Sequence, residues 1–355
     1  MSTAVAPATQ KTESRNLARF FLTNRIALLA VLLVVVVGTF MAMSSMGMLS
    51  GVYDSDYMAS ALINMVPMCL LGLAELLVIV SGRGGIDLSL GSIVSLVGML
   101  FGFAYGMWGW PLIPAIILAL VAGAACGAIN GYLVAYLGFP PLIATLATYY
   151  AFWSIALVSN RQIPISTQPI QEMYGLSAQV ELPFIGQYLP LIPAGVFLFL
   201  LPGIVVVWLM TERFAYGRRL YAIGTNDIAA EWTGIDVKRT RMLSYVSAGI
   251  LAGLVAVVTV SQFASARPDA GTSGNGMALP AITIAVLGGV AITGGIGRVL
   301  GVVLASLLVV WLNSGLLLTF PGNFGSQVQL LALGLILVGA ALLNGITTRR
   351  YSGSK

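Results

Sequence analysis

The sequence predicts an all-α, polytopic membrane protein with about ten transmembrane helices and both termini in the cytoplasm. Of its 355 residues, 58% are hydrophobic and only 8% are charged, whereas soluble proteins carry about 25% charged residues. Long apolar runs follow one another with short links, and no segment is polar enough to form a soluble domain. We therefore expect one transmembrane domain over residues 26–346, with cytoplasmic tails at 1–25 and 347–355.

Ten runs meet the length criterion of about 20 mostly apolar residues for a spanning helix. The first follows a basic segment, and it is too long and lacks the small-residue cleavage site of a secretory signal, which favours a retained anchor. The eighth is short and rich in glycine, so it can be a broken or re-entrant segment. The ten runs are 26–43, 58–80, 86–106, 112–137, 141–160, 190–211, 243–263, 279–296, 299–319 and 327–346.

The charges test this count, because cytoplasmic loops of membrane proteins hold most of the Lys and Arg residues. With the N-terminus inside and ten spans, all of the 17 basic residues except Arg161 and Arg267 lie on the inner side. A count wrong by one span would scatter them. The net charge of +5 therefore reflects orientation, and nothing indicates nucleic-acid binding.

Several kinds of chemistry are absent from the sequence. The chain has no histidine, which removes imidazole catalysis and histidine-metal sites. Cys69 and Cys126 fall inside predicted spans, and none of the three lysines lies in a phosphate-binding G-x-x-x-x-G-K-[ST] motif. We expect no catalytic residue, no metal site and no cofactor on this chain. If transport is driven by ATP, a separate subunit must bind the ATP and Mg²⁺.

Glycines recur every four residues in the third and fourth predicted spans, at 98, 102 and 106 and at 123, 127 and 131. This spacing places a smooth stripe on one helix face, which lets the backbones of neighbouring spans approach closely. We interpret both stripes as packing surfaces, with the lining of a pore as the alternative.

The longest predicted inner loop covers residues 211–242 and contains a segment that can form a short helix. Asn226 is a suitable N-cap, Asp227 and Glu231 suit the early turns, and Gly234 suits a C-terminal stop. The loop is either a solvated, charged connection or a docking element through which a partner acts on two spans.

Several polar or glycine-rich segments form an ordered set over roughly residues 60–345. They are Gly85-Ile86-Asp87-Leu88-Ser89-Leu90-Gly91-Ser92, Gly217-Arg218, Tyr221-Ala222-Ile223-Gly224, Asn226, Ala229-Ala230, Gly234-Ile235, Arg239, Ala264-Ser265-Ala266-Arg267-Pro268, Val286-Leu287-Gly288-Gly289 and Gly294-Gly295-Ile296-Gly297. In the same order, this set resembles segments of the membrane permease subunits of bacterial ATP-binding-cassette (ABC) sugar importers of the ribose, xylose and rhamnose type.

The resemblance implies a permease of the bacterial inner membrane that works with a second copy or a close relative. It implies a cytoplasmic ATP-hydrolysing subunit and a periplasmic sugar-binding protein as partners, and a coupling helix within residues 217–235. The expected ATPase-docking residues are Gly217, Arg218, Gly224, Asn226, Ala229, Ala230 and Gly234. This chain departs from the family at Arg83-Gly84, which look like an insertion, and at Glu75, where an uncharged polar residue is frequent.

Five polar residues are candidates for the translocation path. Glu75 is the acid predicted deepest in a span, where a charge is unfavourable and usually faces the bundle interior; it either contacts sugar hydroxyls or is a structural acid. Asp87 is expected to cap the helix that begins after Gly84-Gly85, with substrate contact as the alternative. Asn64, Asn130 and Asn313 are uncharged candidates for lining the path. The alternative for each is a hydrogen bond that joins two helices.

Two further expectations concern architecture and function. The residues Gly84-Gly85-Ile86 and Leu90-Gly91 are repeated at Gly294-Gly295-Ile296 and Leu300-Gly301, which indicates a possible internal repeat. The favoured function is the translocation path for a monosaccharide. The alternatives are a nucleoside permease of the same class and an ion-coupled secondary transporter that uses Glu75 and Asp87.

Overall fold

The computed structural model describes residues 24–181, 186, 190–273 and 276–347, without the side chains of residues 343–347. Nearly all of both predicted tails lies outside these ranges. The basic residues Lys11, Arg15, Arg19, Arg349, Arg350 and Lys355 are outside them as well.

The described chain is a helical bundle with one minimal sheet. The strands are β1 (Gln179–Val180) and β2 (Ile192–Pro193), which pair antiparallel. The helices are α1 (Arg25–Ser45), α2 (Ser55–Val80), α3 (Leu90–Phe101), α4 (Leu112–Ala135), α5 (Pro141–Ser159), α6 (Gln168–Glu172), α7 (Leu201–Trp208), α8 (Ala215–Thr225), α9 (Asp227–Trp232), α10 (Val237–Phe263), α11 (Ala278–Leu287), α12 (Val299–Thr319) and α13 (Asn323–Thr347).

Within the described ranges, nine helical segments are long and apolar enough to cross a membrane. Two of them include wider π-helical turns: α3 continues to Met107, and α7 is the middle of a segment that covers Val196–Arg213. The bounds of α12 coincide with the predicted span 299–319. The predicted sixth span, 190–211, begins too early because Ile192–Pro193 forms β2.

The predicted eighth span, 279–296, is a broken segment, as its glycine content indicated, and not a continuous helix. Only α11 is helical, and its ten residues are about 15 Å long, half the thickness of the bilayer core. After α10, the non-helical residues 264–273 run inward along α3. Ala266 pairs with Ile165 beside Gly102, and the Gly271 amide donates to Ser95 Oγ, 3.0 Å away. The glycine-rich residues after Leu287 form a loop because Gly289, Gly294 and Gly295 have positive φ.

The centre of the bundle is α2, whose residues from Met65 to Val80 are almost all buried. Helices α7, α10, α11 and α12 surround it. Gly72 permits one of these approaches, since a Cβ there would come within 2.8 Å of the Ile284 side chain in α11. The burial of α2 on all sides explains why it is apolar around its whole circumference.

The predicted packing role of the glycine stripe in α4 is confirmed. A Cβ added at Gly123 or Gly127 would overlap a backbone carbonyl oxygen of α10, that of Gly249 or Tyr245. The two helices therefore touch backbone to backbone, as expected where small residues replace the hydrophobic drive that lipid removes. The two cysteines, Cys69 and Cys126, are buried and free.

The two ends of the bundle differ in charge. One end, called the basic end below, contains α8, α9 and the loops 81–89 and 288–298, with the basic residues Arg25, Arg83, Arg213, Arg218, Arg219, Lys238, Arg239, Arg241 and Arg298. The opposite end contains α6, the β1–β2 pair, Arg161 and Arg267. This segregation matches the predicted threading, while the cytoplasmic placement of the basic end stays a prediction.

Candidate functional site

The segment predicted to contain the coupling helix, called the coupling element below, forms a helix pair at the basic end, α8 followed by α9. The Asn226 side chain accepts a hydrogen bond from the Ala229 amide, 3.0 Å away, and so caps α9 as predicted. Gly234, with a φ of +83°, ends the helix, and the Ile235 amide bonds back to the Ala230 carbonyl oxygen at 3.2 Å. These bonds define a rigid short helix with a C-terminal glycine motif.

The seven residues predicted for ATPase docking divide into three groups in the structure. Gly217, Gly224 and Ala230 are packed against the protein, while Asn226 and Gly234 shape the ends of α9. Arg218, Ala229 and the capping residue Asn226 are exposed. The outer surface of α9 is apolar, since Ile228 is 66% and Trp232 is 88% exposed.

Two arginines from different segments join α9 to the membrane bundle through Asp227. Arg83, in the loop between α2 and α3, donates its Nε–H to Asp227 Oδ2. Arg241 Nη2, in α10, lies 3.5 Å from the same oxygen and donates to the Ser81 carbonyl oxygen at 3.2 Å. Desolvation raises the pKa of Asp227, but the hydrogen bond and charge of Arg83 and the charge of Arg241 lower it below its ordinary value.

The C-terminal end of α8 touches two loops of the bundle at glycines. A Cβ on Gly224 would overlap the Val80 carbonyl oxygen and the Gly295 amide, and Gly294 lies against Gly82. The Gly295 amide donates to the Val80 carbonyl oxygen at 3.0 Å. The end of α2, the coupling element and the loop 288–298 therefore meet without intervening side chains.

A fully buried polar cluster lies behind the loop 81–89. Glu75 Oε2 accepts from the Asp87 amide at 3.3 Å, and Asp87 Oδ1 accepts from the amide and hydroxyl of Ser89. The side-chain amide of Asn130 donates to Ser89 Oγ at 2.7 Å and approaches both Asp87 oxygens, while its oxygen accepts from Thr148. The cluster ties α2, the loop, α4 and α5 together.

The expectation that Asp87 caps a helix is wrong. The helix begins at Leu90 rather than directly after Gly84-Gly85, and its preceding residue, Ser89, makes no side-chain capping bond. Asp87 instead closes a local turn through Ser89, because the short Asp side chain reaches the amide two residues ahead.

The predicted path residues occupy two places rather than one. Glu75, Asp87 and Asn130 belong to the buried cluster, whereas Asn64 and Asn313 line a cavity of about 340 Å³ toward the opposite end. Gln329 from α13 also lines this cavity and donates to the Asn313 carbonyl oxygen at 2.8 Å. The remaining lining is mostly apolar, and Ser314 is the fourth polar residue in it.

Sequence reasoning did not select five residues that contact the predicted ones. They are Arg83 and Arg241 at Asp227, Ser89 and Thr148 at Asn130, and Gln329 at Asn313. Arg83 stood out in the sequence because it interrupts the glycine-rich motif Ser-Gly-Gly-Ile-Asp that is common in the family. Its partner Asp227 could not be predicted, since it lies 144 residues away in the sequence. In the described ranges, no group of three or more Cys, Asp and Glu residues is arranged to hold a metal ion.

The fold and the site define a class: a multi-pass membrane permease with a polar-lined cavity between spanning helices and a short capped helix at the basic end. A family model described as "Branched-chain amino acid transport system / permease component" matches residues 57–343. The chain belongs to this permease family. The predicted class, the membrane subunit of an ABC sugar importer in the bacterial inner membrane, is confirmed.

Curated relatives agree with this assignment. The chain is 36% identical to the autoinducer 2 import system permease protein LsrD of Yersinia enterocolitica over 315 residues, 88% of this chain and 91% of the relative. It is 37% identical to the LsrD protein of Photorhabdus luminescens over 275 residues, 78% of this chain and 79% of the relative. No solved structure matches the chain.

Proposed function

We propose that this chain pairs with a second copy or a close relative and moves a small sugar inward, driven by a cytoplasmic ATPase subunit that docks at α9. The observation that supports this most strongly is the exposed apolar face of α9. Trp232 is 88% exposed in this chain and lies on a short capped helix. Tryptophan is a frequent anchor that becomes buried when a protein interface forms.

The coupling element is suited to transmit movement. The Asp227 carboxylate pairs with Arg83 and Arg241, and Gly224 touches the end of α2. A displacement of α9 would therefore act on the loop 81–89, on α10 and on the loop 288–298 together. We propose alternating access, in which ATP-driven closure of the docked subunits rocks these segments.

The cavity at Asn64 and Asn313 is the proposed path surface. Its amide groups can donate to and accept from hydroxyl groups, and it has no charged lining residue, which suits a neutral solute delivered by a periplasmic binding protein. Because the similar permeases are named for autoinducer 2 import, autoinducer 2 is the first substrate to test. A pentose such as ribose is the second, and a nucleoside is the alternative within the class.

Family membership favours the ATP-driven class over the ion-coupled alternative. The deciding experiment is uptake by proteoliposomes that contain the chain with its ATPase and binding protein. Accumulation should require ATP inside and the binding protein outside, and it should persist when the proton gradient is collapsed. Accumulation by the permease without the ATPase would contradict the proposal, and competition among the three solutes would identify the substrate.

A further inference from the structure

A cavity of about 540 Å³ at the basic end lies between the start of α1 and the loop 288–298. Two arginines line it, Arg25 and Arg298, together with backbone from Gly288, Gly289 and Gly295. It has no acidic lining residue. A neighbouring cavity of about 530 Å³ shares its Arg298 side.

Arg25 lines this cavity and has no anionic partner among the residues that the structure describes. Its aliphatic stem packs over Gly289, where an added Cβ would lie 3.1 Å from Cγ of the arginine. Its Nη2 is buried and has no hydrogen-bond partner among the described residues. A buried guanidinium nitrogen without an acceptor is costly, so its place is suited to an anion from outside the chain.

Arg298 completes the positive side of the cavity. It precedes α12, whose first turn has no side-chain cap, so the positive end of this helix dipole lies beside the arginine. In the described part of the chain, neither arginine forms an ion pair with an acid. The one nearby carboxylate, Glu212, lies in the neighbouring cavity and accepts from Trp208 Nε1 at 2.9 Å.

The position of the cavity relative to the membrane favours a lipid phosphate over other anions. Both arginines stand where a membrane-spanning helix begins, which is the height of lipid headgroups. The apolar rim residues Ile296 and Leu300 are exposed, and most of the α1 surface faces outward. A ligand here would combine a phosphate group with adjacent hydrocarbon.

We propose that this cavity, called the Arg25–Arg298 site, binds the phosphate group of an anionic phospholipid of the bilayer. Guanidinium groups such as those of Arg25 and Arg298 recognise phosphate, and a basic pocket between spanning helices is a recognised form of lipid-headgroup site. The proposal is independent of the transported solute. Free inorganic phosphate is the alternative source of the same chemistry.

The test uses the full-length permease purified in mild detergent and analysed by native mass spectrometry with added lipid. Wild-type protein should retain phosphatidylglycerol in preference to phosphatidylcholine. Arg25→Gln and Arg298→Gln should each weaken this retention about fivefold, which corresponds to about 1 kcal/mol per basic residue. Arg239→Gln is the matched control, since it removes an exposed arginine from the same end outside the cavity.

Three results would overturn the proposal. The first is equal retention of the two lipids by wild-type protein, and the second is unchanged retention in both cavity variants. The third is a pair of observations that would assign the site to free phosphate. Millimolar phosphate would displace phosphatidylglycerol while chloride of equal ionic strength would not, and phosphate alone would raise the melting temperature as much as the lipid does. If Arg25→Gln does not yield folded protein, the test rests on Arg298→Gln, because the Arg298 side chain is exposed and its replacement leaves the packing intact.

Discussion

Asp227 in α9 and Arg241 in α10 lie 3.5 Å apart, and the arginine is almost completely buried, with 3% of its side chain exposed. A single short helix at the surface thus supplies the carboxylate for a buried cation in a spanning helix. Arg241 also holds the Ser81 carbonyl oxygen at the end of α2.

We expect Asp227→Asn to reduce uptake about tenfold while the protein still inserts and binds its ATPase. The variant leaves the guanidinium of Arg241 without its counter-charge, and charge-assisted hydrogen bonds contribute about 1.5–3 kcal/mol. Uptake and ATPase activity should be measured in the same proteoliposomes. Asp236→Asn is the control, because it removes a charge from a neighbouring N-cap while asparagine caps equally well. Equal effects of the two variants would contradict a specific link through Asp227.

The two adjacent alanines of α9 should behave differently. Ala229 is exposed and Ala230 is 5% exposed, so only the first can face a docked partner. We expect Ala229→Glu to abolish copurification of the ATPase at a normal membrane level. Ala230→Glu should lower the protein level itself, because it buries an unpaired charge. Normal ATPase binding by the Ala229 variant would remove α9 from the interface.

The lowered pKa of Asp227 predicts a specific pH dependence of stability. A carboxyl group whose pKa is depressed by folding adds stability above its unfolded pKa, about 3.9, and loses it as the pH falls through the folded value. The difference in melting temperature between wild-type protein and Asp227→Asn should therefore be constant from pH 8 to pH 5. It should shrink only below about pH 4, as measured on detergent-solubilised protein. A difference that disappears between pH 7 and pH 6 would assign it to another group.

The bounds of most long helices could be predicted from sequence because apolar length alone determines them, as at Val299–Thr319. The glycines of the eighth span indicated a break, but the point where the helix ends could not be predicted, because 279–296 is apolar throughout. Four positive-φ or closely packed glycines, Gly288, Gly289, Gly294 and Gly295, end the helix at Leu287. The coupling helix was predictable from local capping residues. Its ion pairs were not, since Arg83 and Asp227 meet only after the whole bundle has folded.

The close backbone packing between α4 and α10 predicts that adding a methyl group at Gly127 lowers stability, whereas the same change at Gly38, outside this contact, does not. Gly127→Ala should destabilise the protein by about 1–3 kcal/mol, because the Cβ would overlap the Tyr245 carbonyl oxygen and force the two helices apart. Gly38→Ala in α1, with no atom within 4 Å, should be neutral or stabilising by up to about 1 kcal/mol. Chemical unfolding in mixed micelles measures both variants, and equal stabilities would contradict the packing model.

Substitutions of Glu75 distinguish between its two possible roles, a structural acid and a substrate contact. Its side chain is fully buried and Oε2 accepts from the Asp87 amide, so its acceptor oxygen, rather than its charge, positions the loop 81–89. We expect Glu75→Gln to retain at least half of wild-type uptake with an unchanged KM, since glutamine keeps the acceptor. Glu75→Leu should lower both the folded yield and the uptake, because the Asp87 amide then lies buried without a partner. A tenfold rise in KM for Glu75→Gln at a normal folded yield would instead place this carboxylate on the path of the solute.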